Sequence, residues 1–224
     1  MFPDPRSRAA GNAWPKWIER QLVQRGISDE RVLRAFASVP REAFVDRDYA
    51  GLAYDDGPVP IDCRQTLSQP FVVALSLQAL RLTGSERVLD VGTGSGYQAV
   101  VLSHLCAEVY SIEVRERLYF NARLTVPKHQ KAPVHLRLGD GSLGWPEAGP
   151  FDAMVVGARA PKLPPALMEQ LASGGRLVLP IGGESSQGLY RFTKDSTGQV
   201  EKTLLERVAF VPLVGKQGTG EKVE

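Results

Sequence analysis

Apolar residues recur at helical spacing in two short stretches near the start of the chain. The first stretch covers residues 17–23 and ends at Gly26, and the second covers residues 32–36 and stops before Pro40. Apolar residues spaced three or four positions apart are typical of amphipathic helices. We therefore predict two short helices, and we expect Ser28 to cap the second because a serine hydroxyl can accept from unpaired first-turn amides.

From residue 68 onward, short apolar strands alternate with helical stretches. The predicted strands are RVLDV, EVYSIE, VHLRL, FDAMVV and GRLVLPI, and the predicted helices span about 69–82, 96–106, 115–126 and 164–172, the last ending at Gly174 and Gly175. This alternation indicates a parallel sheet with helices on both faces. Two more strands, QGLYRFTKD and TLLERVAFVPLV, are expected to close the sheet as an antiparallel pair.

The pattern as a whole predicts one α/β domain. We expect a doubly wound, mostly parallel sheet with an N-terminal helical extension and an antiparallel C-terminal strand pair. The predicted boundaries are a flexible terminus over 1–13, a single domain over 14–214 and a flexible tail over 215–224. Within the domain, 14–67 forms the helical extension and an active-site loop, and 68–214 forms the α/β core.

Composition narrows the classes of protein to consider. The 224 residues are 43% hydrophobic and carry a net charge of +2, too little for a broad phosphate-binding surface, so we expect no nucleic acid partner. The start, MFPDPRSRAAGNAW, lacks an apolar signal region and no run of about eighteen apolar residues occurs, so we expect no membrane association and a cytoplasmic location. The two cysteines and three histidines do not cluster, so no metal site is predicted.

The strongest chemical signal is the stretch VLDVGTGSGY. A predicted strand ends at Asp90, and Gly92, Gly94 and Gly96 lead directly into a predicted helix. Ligands bind at this place in an open parallel sheet. A dinucleotide-binding fingerprint would need a glycine at position 97, where Tyr97 stands, and no phosphate-binding lysine motif is present.

Acidic residues at the predicted strand ends indicate a different ligand. Glu113 ends the next strand and can accept from both hydroxyls of a ribose, and Asp90 supplies negative charge that favours cationic sulfonium and ammonium groups. Asp140, between Gly139 and Gly141, can accept from the exocyclic amine of adenine. These features predict S-adenosyl-L-methionine as cofactor. The predicted cofactor-binding residues are Asp90, Gly92, Thr93, Gly94, Ser95, Gly96, Glu113, Asp140 and Gly141.

A polar hexad, QTLSQP, stands at Gln65–Pro70 directly before an apolar helical run. Ser68 is predicted to cap that helix, and Pro70 suits its first turn because the missing N–H is not needed there. Capping does not account for Gln65 and Thr66. The hexad therefore carries a signal beyond local structure.

The motifs taken together resemble those of the protein-L-isoaspartate O-methyltransferase family. The similarity runs from residue 39 to 215 through QTLSQP, VLDVGTGSGYQAVVL, GDGSLGWPEAGPFDAMVV, LPPALMEQLASGGRLVLPIG and AFVPLVG. The resemblance implies a Rossmann-like class I methyltransferase that methylates the α-carboxylate of L-isoaspartyl residues in damaged proteins and peptides. It also implies that Ser68 is the active-site residue and that Gln65, Thr66 and Gln69 line the substrate pocket. We expect the protein to be a monomer.

Two departures from the family pattern leave alternatives open. Asp62, Cys63 and Arg64 stand where a glycine-containing turn is expected, and Arg159 stands among residues that are usually small. Arg64 and Arg159 either recognise a substrate carboxylate or are solvated, and we retain Arg159 as a substrate-binding candidate. The alternative functions are methylation of another carboxylate or modified-peptide acceptor, and a catalytically silent binding module.

Overall fold

Two short helices begin the part of the chain that this computed structural model describes, residues 14–219. They are α1 (Lys16–Gln21) and α2 (Glu30–Ser38), as predicted. The expected cap was wrong, because Asp29 and not Ser28 caps α2. The Asp29 carboxylate accepts from first-turn amides of α2. These amides are therefore not available to the Ser28 hydroxyl.

A small antiparallel hairpin follows the helices. Its strands are β1 (Val59–Ile61) and β2 (Gln65–Leu67), and Val59 pairs with Leu67. The first half of the hexad is therefore a strand. Short 3-10 helices connect other elements at Val23–Arg25, Arg41–Phe44, Arg47–Leu52, Val126–Lys128, Gly141–Leu143 and Pro146–Ala148.

The main sheet has seven strands within residues 14–219. They are β3 (Arg87–Val91), β4 (Glu108–Glu113), β5 (Val134–Leu138), β6 (Phe151–Val156), β7 (Leu171–Gly182), β8 (Gln187–Lys194) and β9 (Val200–Val208). The order is β5-β4-β3-β6-β7-β8-β9, with β3 to β7 parallel and with antiparallel β7–β8 and β8–β9 pairs. This confirms the predicted fold class. The order reverses direction at β3, so a ligand crevice is expected at its carboxyl end.

Helices cover both faces of this sheet. They are α3 (Pro70–Leu80), α4 (Tyr97–Ser103), α5 (Glu116–Thr125) and α6 (Pro165–Glu169). Alternate strand residues face opposite sides. Val88 and Val155 pack with α3 and α4 in one apolar core, and Leu89 and Met154 pack with Leu167 of α6 in the other. No helix within residues 14–219 is long and apolar enough to cross a membrane.

The predicted ends of one helix and one strand in the C-terminal half of the chain were wrong. Helix α6 ends at Glu169 and not at Gly174–Gly175, because Leu171 already pairs with Phe151 and the two glycines lie in an irregular stretch of β7. The last strand ends at Val208 and does not reach residue 214, since the chain leaves the sheet there.

The chain after β9 returns to the ligand-binding edge of the sheet. Residues 215–219, expected to begin a flexible tail, form a turn in which the Lys216 amide donates to the Asp140 carboxylate at 2.8 Å and the Gln217 amide donates to Ser142 Oγ at 2.9 Å. Residues 1–13 and 220–224 lie outside the described part. The proposed division of the chain stays a prediction.

Candidate active site

The glycine loop over residues 92–96 connects β3 to α4 at the reversal point of the sheet. The backbone amides of Gly92 and Thr93 donate to the carbonyl of Ile112 at 2.9 and 3.1 Å, which fixes the loop against β4. Gly96 has a φ of +93°, and a Cβ there would lie 2.5 Å from Val126 Cγ2. A residue with a side chain would therefore be strained and would clash at the start of α4.

Asp90 lies beneath this loop and is fully buried. One carboxylate oxygen accepts from Gln98 Nε2 at 2.7 Å, and the other accepts from Ser111 Oγ at 2.7 Å, with Thr93 Oγ1 a further 2.6 Å from that hydroxyl. Burial raises the pKa of Asp90 to about 6, with a smaller contribution from the charge of Glu113. Asp90 thus ties β3, β4 and α4 together from below.

Glu113 stands at the end of β4 and is 5% exposed. Its Oε2 accepts from the Gly94 amide at 2.7 Å, and its Oε1 accepts from the amides of Val114 and Arg115 at 2.9 Å each. Burial raises the pKa of Glu113, and these backbone hydrogen bonds oppose the shift. A carboxylate has about four acceptor positions, so capacity remains for a ligand hydroxyl.

A cleft lies above the carboxyl ends of β3, β4 and β6, between the glycine loop and the hairpin. We call it the cofactor cleft. Six of the predicted site residues line it: Gln65, Thr66, Gly92, Gly94, Glu113 and Gly141. The apolar side chains of Val91, Ile112 and Leu118 add a surface suited to a flat base. Exposed loop backbone, a carboxylate and an apolar wall fit the groups of S-adenosylmethionine.

The other predicted site residues do not line the cofactor cleft. They are Ser68, Gln69, Asp90, Thr93, Ser95, Gly96, Asp140 and Arg159. Ser95 faces a neighbouring groove between the hairpin and α5. Thr93 is turned inward toward Ser111. The structure therefore divides the predicted set into residues on the cleft wall and residues that support it.

Asp140 is held by local donors and by the C-terminal segment. Its Oδ1 accepts from the amide and the hydroxyl of Ser142 at 2.9 and 2.6 Å, and its Oδ2 accepts from the Lys216 amide at 2.8 Å. Gly141 lines the cofactor cleft, and a Cβ there would lie 2.6 Å from Val91 Cγ1. The position thus allows close approach of backbone to the strand end.

Ser68 lies between β2 and α3 and does not cap the helix. Helix α3 begins at Pro70 with Gln69 as its N-cap, and no side chain forms a cap hydrogen bond, so the predicted cap was wrong. The Ser68 carbonyl accepts from Arg41 Nη2, and Ser68 Oγ has no hydrogen-bond partner among residues 14–219. The side-chain Nε2 of Gln69 donates to Asp56 Oδ1 at 2.7 Å.

The hairpin turn is bound to helix α5. Cys63 and Arg64 have φ angles of 58° and 55°, the left-handed conformation that glycine adopts without strain, so they replace a glycine turn at a cost. Asp62 pairs with Arg117 at 2.8 Å and accepts from Asn121 Nδ2 at 3.0 Å. These contacts hold the hairpin across the cofactor cleft.

Arg159 is 8% exposed, contrary to the solvated alternative. Its backbone forms hydrogen bonds with Val211 and Leu213, and its guanidinium lies 3.9 Å from the carboxylate of Glu184, which is itself 94% exposed. An ion pair of this length with an exposed partner neutralises little of the Arg159 charge, which can therefore attract a second anion. Arg64 is exposed, so its solvated alternative stands.

Sequence reasoning missed several residues of the cleft wall. Gly157, Ala158 and the segment 211–214 line it, and each has a small or apolar side chain that carries no chemical signal. The motif AFVPLVG covers the last segment and belongs to the family resemblance, but no site role was predicted for its residues. They line the cleft because β6 lies beside β3 in the sheet and because the chain after β9 returns to the same edge.

The doubly wound sheet, the glycine loop and Glu113 at the end of β4 define a class I methyltransferase that uses S-adenosyl-L-methionine. The family model of protein-L-isoaspartate(D-aspartate) O-methyltransferase (PCMT) matches residues 16–218. The chain belongs to this family. The match confirms the family resemblance, the enzyme class and the cofactor that the sequence predicted.

Individual relatives agree with this assignment. Protein-L-isoaspartate O-methyltransferase 2 of Marinobacter nauticus is 52% identical over 202 residues, which cover 90% of this chain and 92% of that protein. A Plasmodium falciparum structure described as a beta-aspartate methyltransferase (PCMT), in complex with S-adenosyl-L-homocysteine, has a TM-score of 0.79 at 29% identity and covers 92% of this chain and 100% of that one. A solved protein-L-isoaspartate O-methyltransferase also has a TM-score of 0.79, at 28% identity over 87% of this chain, which spans only 64% of that longer chain.

The buried carboxylate of Asp90 predicts a pH-dependent stability difference. Its pKa is about 6 in the folded chain against 3.8 in the unfolded chain. Between these values the folded state retains a proton that the unfolded state has lost, so raising the pH from 4 to 6.5 destabilises the wild type by roughly 2 kcal/mol through this group. Asp90→Asn should lack that loss.

Asparagine can replace Asp90 in this network. Its amide oxygen can accept from Gln98, and its amide nitrogen can donate to Ser111, which then turns its hydroxyl proton toward Thr93. Urea unfolding of both proteins at pH 4 and pH 6.5 checks the prediction, since the titrating groups that do not interact with Asp90 cancel in the comparison. Equal pH dependence in the two proteins would contradict it.

Proposed function

We propose that this protein transfers a methyl group from S-adenosyl-L-methionine to the α-carboxylate of L-isoaspartyl residues in damaged proteins and peptides. The observation that carries the proposal is the cofactor cleft. Gly94 and Glu113 line it together with Gln65 and Thr66 of the family's hexad. Family membership over residues 16–218 supports the same acceptor. Methyl transfer to an isoaspartyl peptide, with its aspartyl twin as control, tests it.

The acceptor needs no general base. A carboxylate with a pKa of about 4 is ionised at pH 7, so it can attack directly. The bound cofactor supplies an electrophilic methyl group on a positively charged sulfur. The new bond joins a carboxylate oxygen to the methyl carbon, and the electrons of the broken carbon–sulfur bond go to sulfur. The chain must then hold oxygen, carbon and sulfur in line, which can contribute up to about 7 to 11 kcal/mol.

We assign the positioning of the acceptor to the hexad and to Arg159. Gln65 and Thr66 offer polar groups on the cleft wall, and Ser68, one residue after β2, offers a hydroxyl. Gln69, although bonded to Asp56, stays a substrate-binding candidate because that hydrogen bond lies at the surface and is readily exchanged. Arg159 attracts the acceptor's negative charge.

We assign each of the nine predicted cofactor residues a role in contacting the ligand, in supplying charge or in shaping the loop, with Gly141 allowing close approach of the backbone. Glu113 accepts from a ribose hydroxyl with the acceptor position that its three backbone hydrogen bonds leave, and the backbone of the glycine loop approaches the ligand. Asp90 acts from below through its charge, and Asp140 accepts from the adenine amine with the acceptor capacity that its local hydrogen bonds leave. Thr93, Ser95 and Gly96 shape the loop.

We further propose that the protein acts as a cytoplasmic monomer without a nucleic acid partner. The net charge of +2 supports the last point, because phosphate binding needs a larger basic excess. An acceptor with another carboxylate remains a second candidate, since the underused charge of Arg159 suits any carboxylate. Sedimentation equilibrium tests the monomer, and the aspartyl control peptide tests the second acceptor.

Ser68→Ala should separate catalysis from stability. Because Ser68 caps no helix, we expect the free energy of unfolding to stay within about 0.5 kcal/mol of the wild type. If Ser68 orients the acceptor, kcat should fall at least tenfold, as a misplaced nucleophile loses the line of attack. Denaturant unfolding and steady-state kinetics with the isoaspartyl peptide measure both, with the exposed Ser38→Ala as control. Unchanged kcat would remove Ser68 from the mechanism.

Glu113→Ala and Asp90→Asn should affect two related ligands differently. S-adenosylmethionine and S-adenosylhomocysteine share the ribose hydroxyls, so Glu113→Ala should weaken both by about 1.5 to 3 kcal/mol. Only S-adenosylmethionine carries the sulfonium charge, so Asp90→Asn should weaken it more than S-adenosylhomocysteine. Titration calorimetry measures all four affinities. Equal losses for both ligands in Asp90→Asn would show that Asp90 does not act through charge.

Arg159→Ala should raise the KM for the peptide and leave cofactor affinity unchanged. The reason is that a buried arginine with only a 3.9 Å ion pair can still attract the acceptor carboxylate. Arg64→Ala, which removes an exposed arginine, is the matched control and should keep the KM. If both variants had the wild-type KM, Arg159 would have no part in substrate binding.

A further inference from the structure

A buried arginine lies between the hexad and the glycine loop. Arg41 has no exposed surface, and no carboxylate within residues 14–219 forms an ion pair with its guanidinium. A buried charge without an opposite charge costs several kcal/mol unless polar groups surround it. The contacts that hold this cation therefore indicate what it is for.

Arg41 connects three segments that are distant in sequence. Its Nε donates to the carbonyl of Ala53 at 2.6 Å, and its Nη2 donates to the carbonyl of Ser68. Its Cζ lies 4.9 Å from the ring centre of Tyr97, within range of a cation–π interaction. Tyr97 is the first residue of α4, directly after the glycine loop. One guanidinium thus joins the backbone of the proposed active-site serine to the end of the cofactor loop.

Stability alone does not account for this arrangement. Arg41 Nη1 and the Tyr97 hydroxyl are both buried and interact with each other, but neither forms a hydrogen bond of good geometry within residues 14–219. Unpaired buried polar groups lower stability, and apolar residues of similar volume often replace a buried charge without loss. An arginine kept under these conditions points to a geometric requirement that an apolar side chain does not meet.

We propose that Arg41 is a positioning residue for methyl transfer, which holds the backbone of Ser68 in fixed register with the glycine loop. The inference rests on the proposed function. Its guanidinium is planar and donates in two directions at once, so it sets both the distance and the orientation of the hexad. The acceptor carboxylate is thereby aligned with the methyl group, although Arg41 touches neither.

Arg41→Lys is the sharpest test, because lysine keeps the charge and cannot span both carbonyls as a rigid fork. We expect kcat with the isoaspartyl peptide to fall about tenfold to a hundredfold. The peptide KM and the calorimetric Kd for S-adenosylhomocysteine should change less than about threefold. Arg41→Gln, a shorter and neutral variant that can reach one carbonyl at most, should lose at least as much kcat.

Arg31→Lys is the matched control. Arg31 also donates to two backbone carbonyls, those of Leu82 and Leu105, and it lies away from the cofactor cleft. A merely structural arginine should lose melting temperature on this change and keep kcat within about twofold. The contrast in kcat between the two lysine variants is therefore the decisive measurement.

Three outcomes would overturn the inference. The first is wild-type kcat in folded Arg41→Lys, and the second is an equal loss of kcat in Arg31→Lys. The third is failure of both Arg41 variants to fold and bind S-adenosylhomocysteine, which would make Arg41 structural. Wild-type protein that binds cofactor but does not methylate the isoaspartyl peptide would instead refute the proposed function, and the inference with it.

Discussion

The carboxylate and carbonyl of Glu113 form the junction on which the cofactor cleft depends. The side chain accepts from the backbone amide of Gly94 and from the two backbone amides that directly precede α5. The Glu113 carbonyl accepts from the Gly139 amide at 2.9 Å. The ends of three neighbouring strands are thus fixed relative to one another. Because these contacts form within the chain, little of the ligand's binding energy is needed to order the site.

The two acidic residues Glu113 and Asp90 act on a ligand in different ways. Glu113 faces the cleft and forms directed hydrogen bonds, whereas Asp90 lies beneath it with both oxygens engaged. Their charges disfavour each other, which contributes to the raised pKa of Asp90. A cationic ligand above the loop offsets this repulsion. The two buried carboxylates therefore lower the free energy of unfolding of the ligand-free protein and raise its affinity for a cation.

Local patterns sufficed to predict the sheet, the glycine loop and Glu113, because each follows from strand periodicity and from the order of βαβ units. The cap at Ser68 was wrong because the first three residues of the hexad pair with β1 and α3 begins only at Pro70, a strand contact that helix propensity does not contain. Arg41 lies at the start of the stretch that resembles the family, but no role was predicted for it, since its partners lie 12 and 27 residues away. The wall over 211–214 was also missed, because its backbone and not its side-chain chemistry shapes the cleft.

The return of the chain after β9 to the ligand-binding edge has a consequence for the way the site is assembled. Residues 211–214 form one wall of the cleft, and the Lys216 amide donates to Asp140, which lies just after β5. The glycine loop and Glu113 belong to β3 and β4, so a folded sheet from which residues 211–216 had been detached would carry a cleft open on one side. Proteolytic cleavage after β9 would therefore open the ligand site while leaving the strands of the sheet paired.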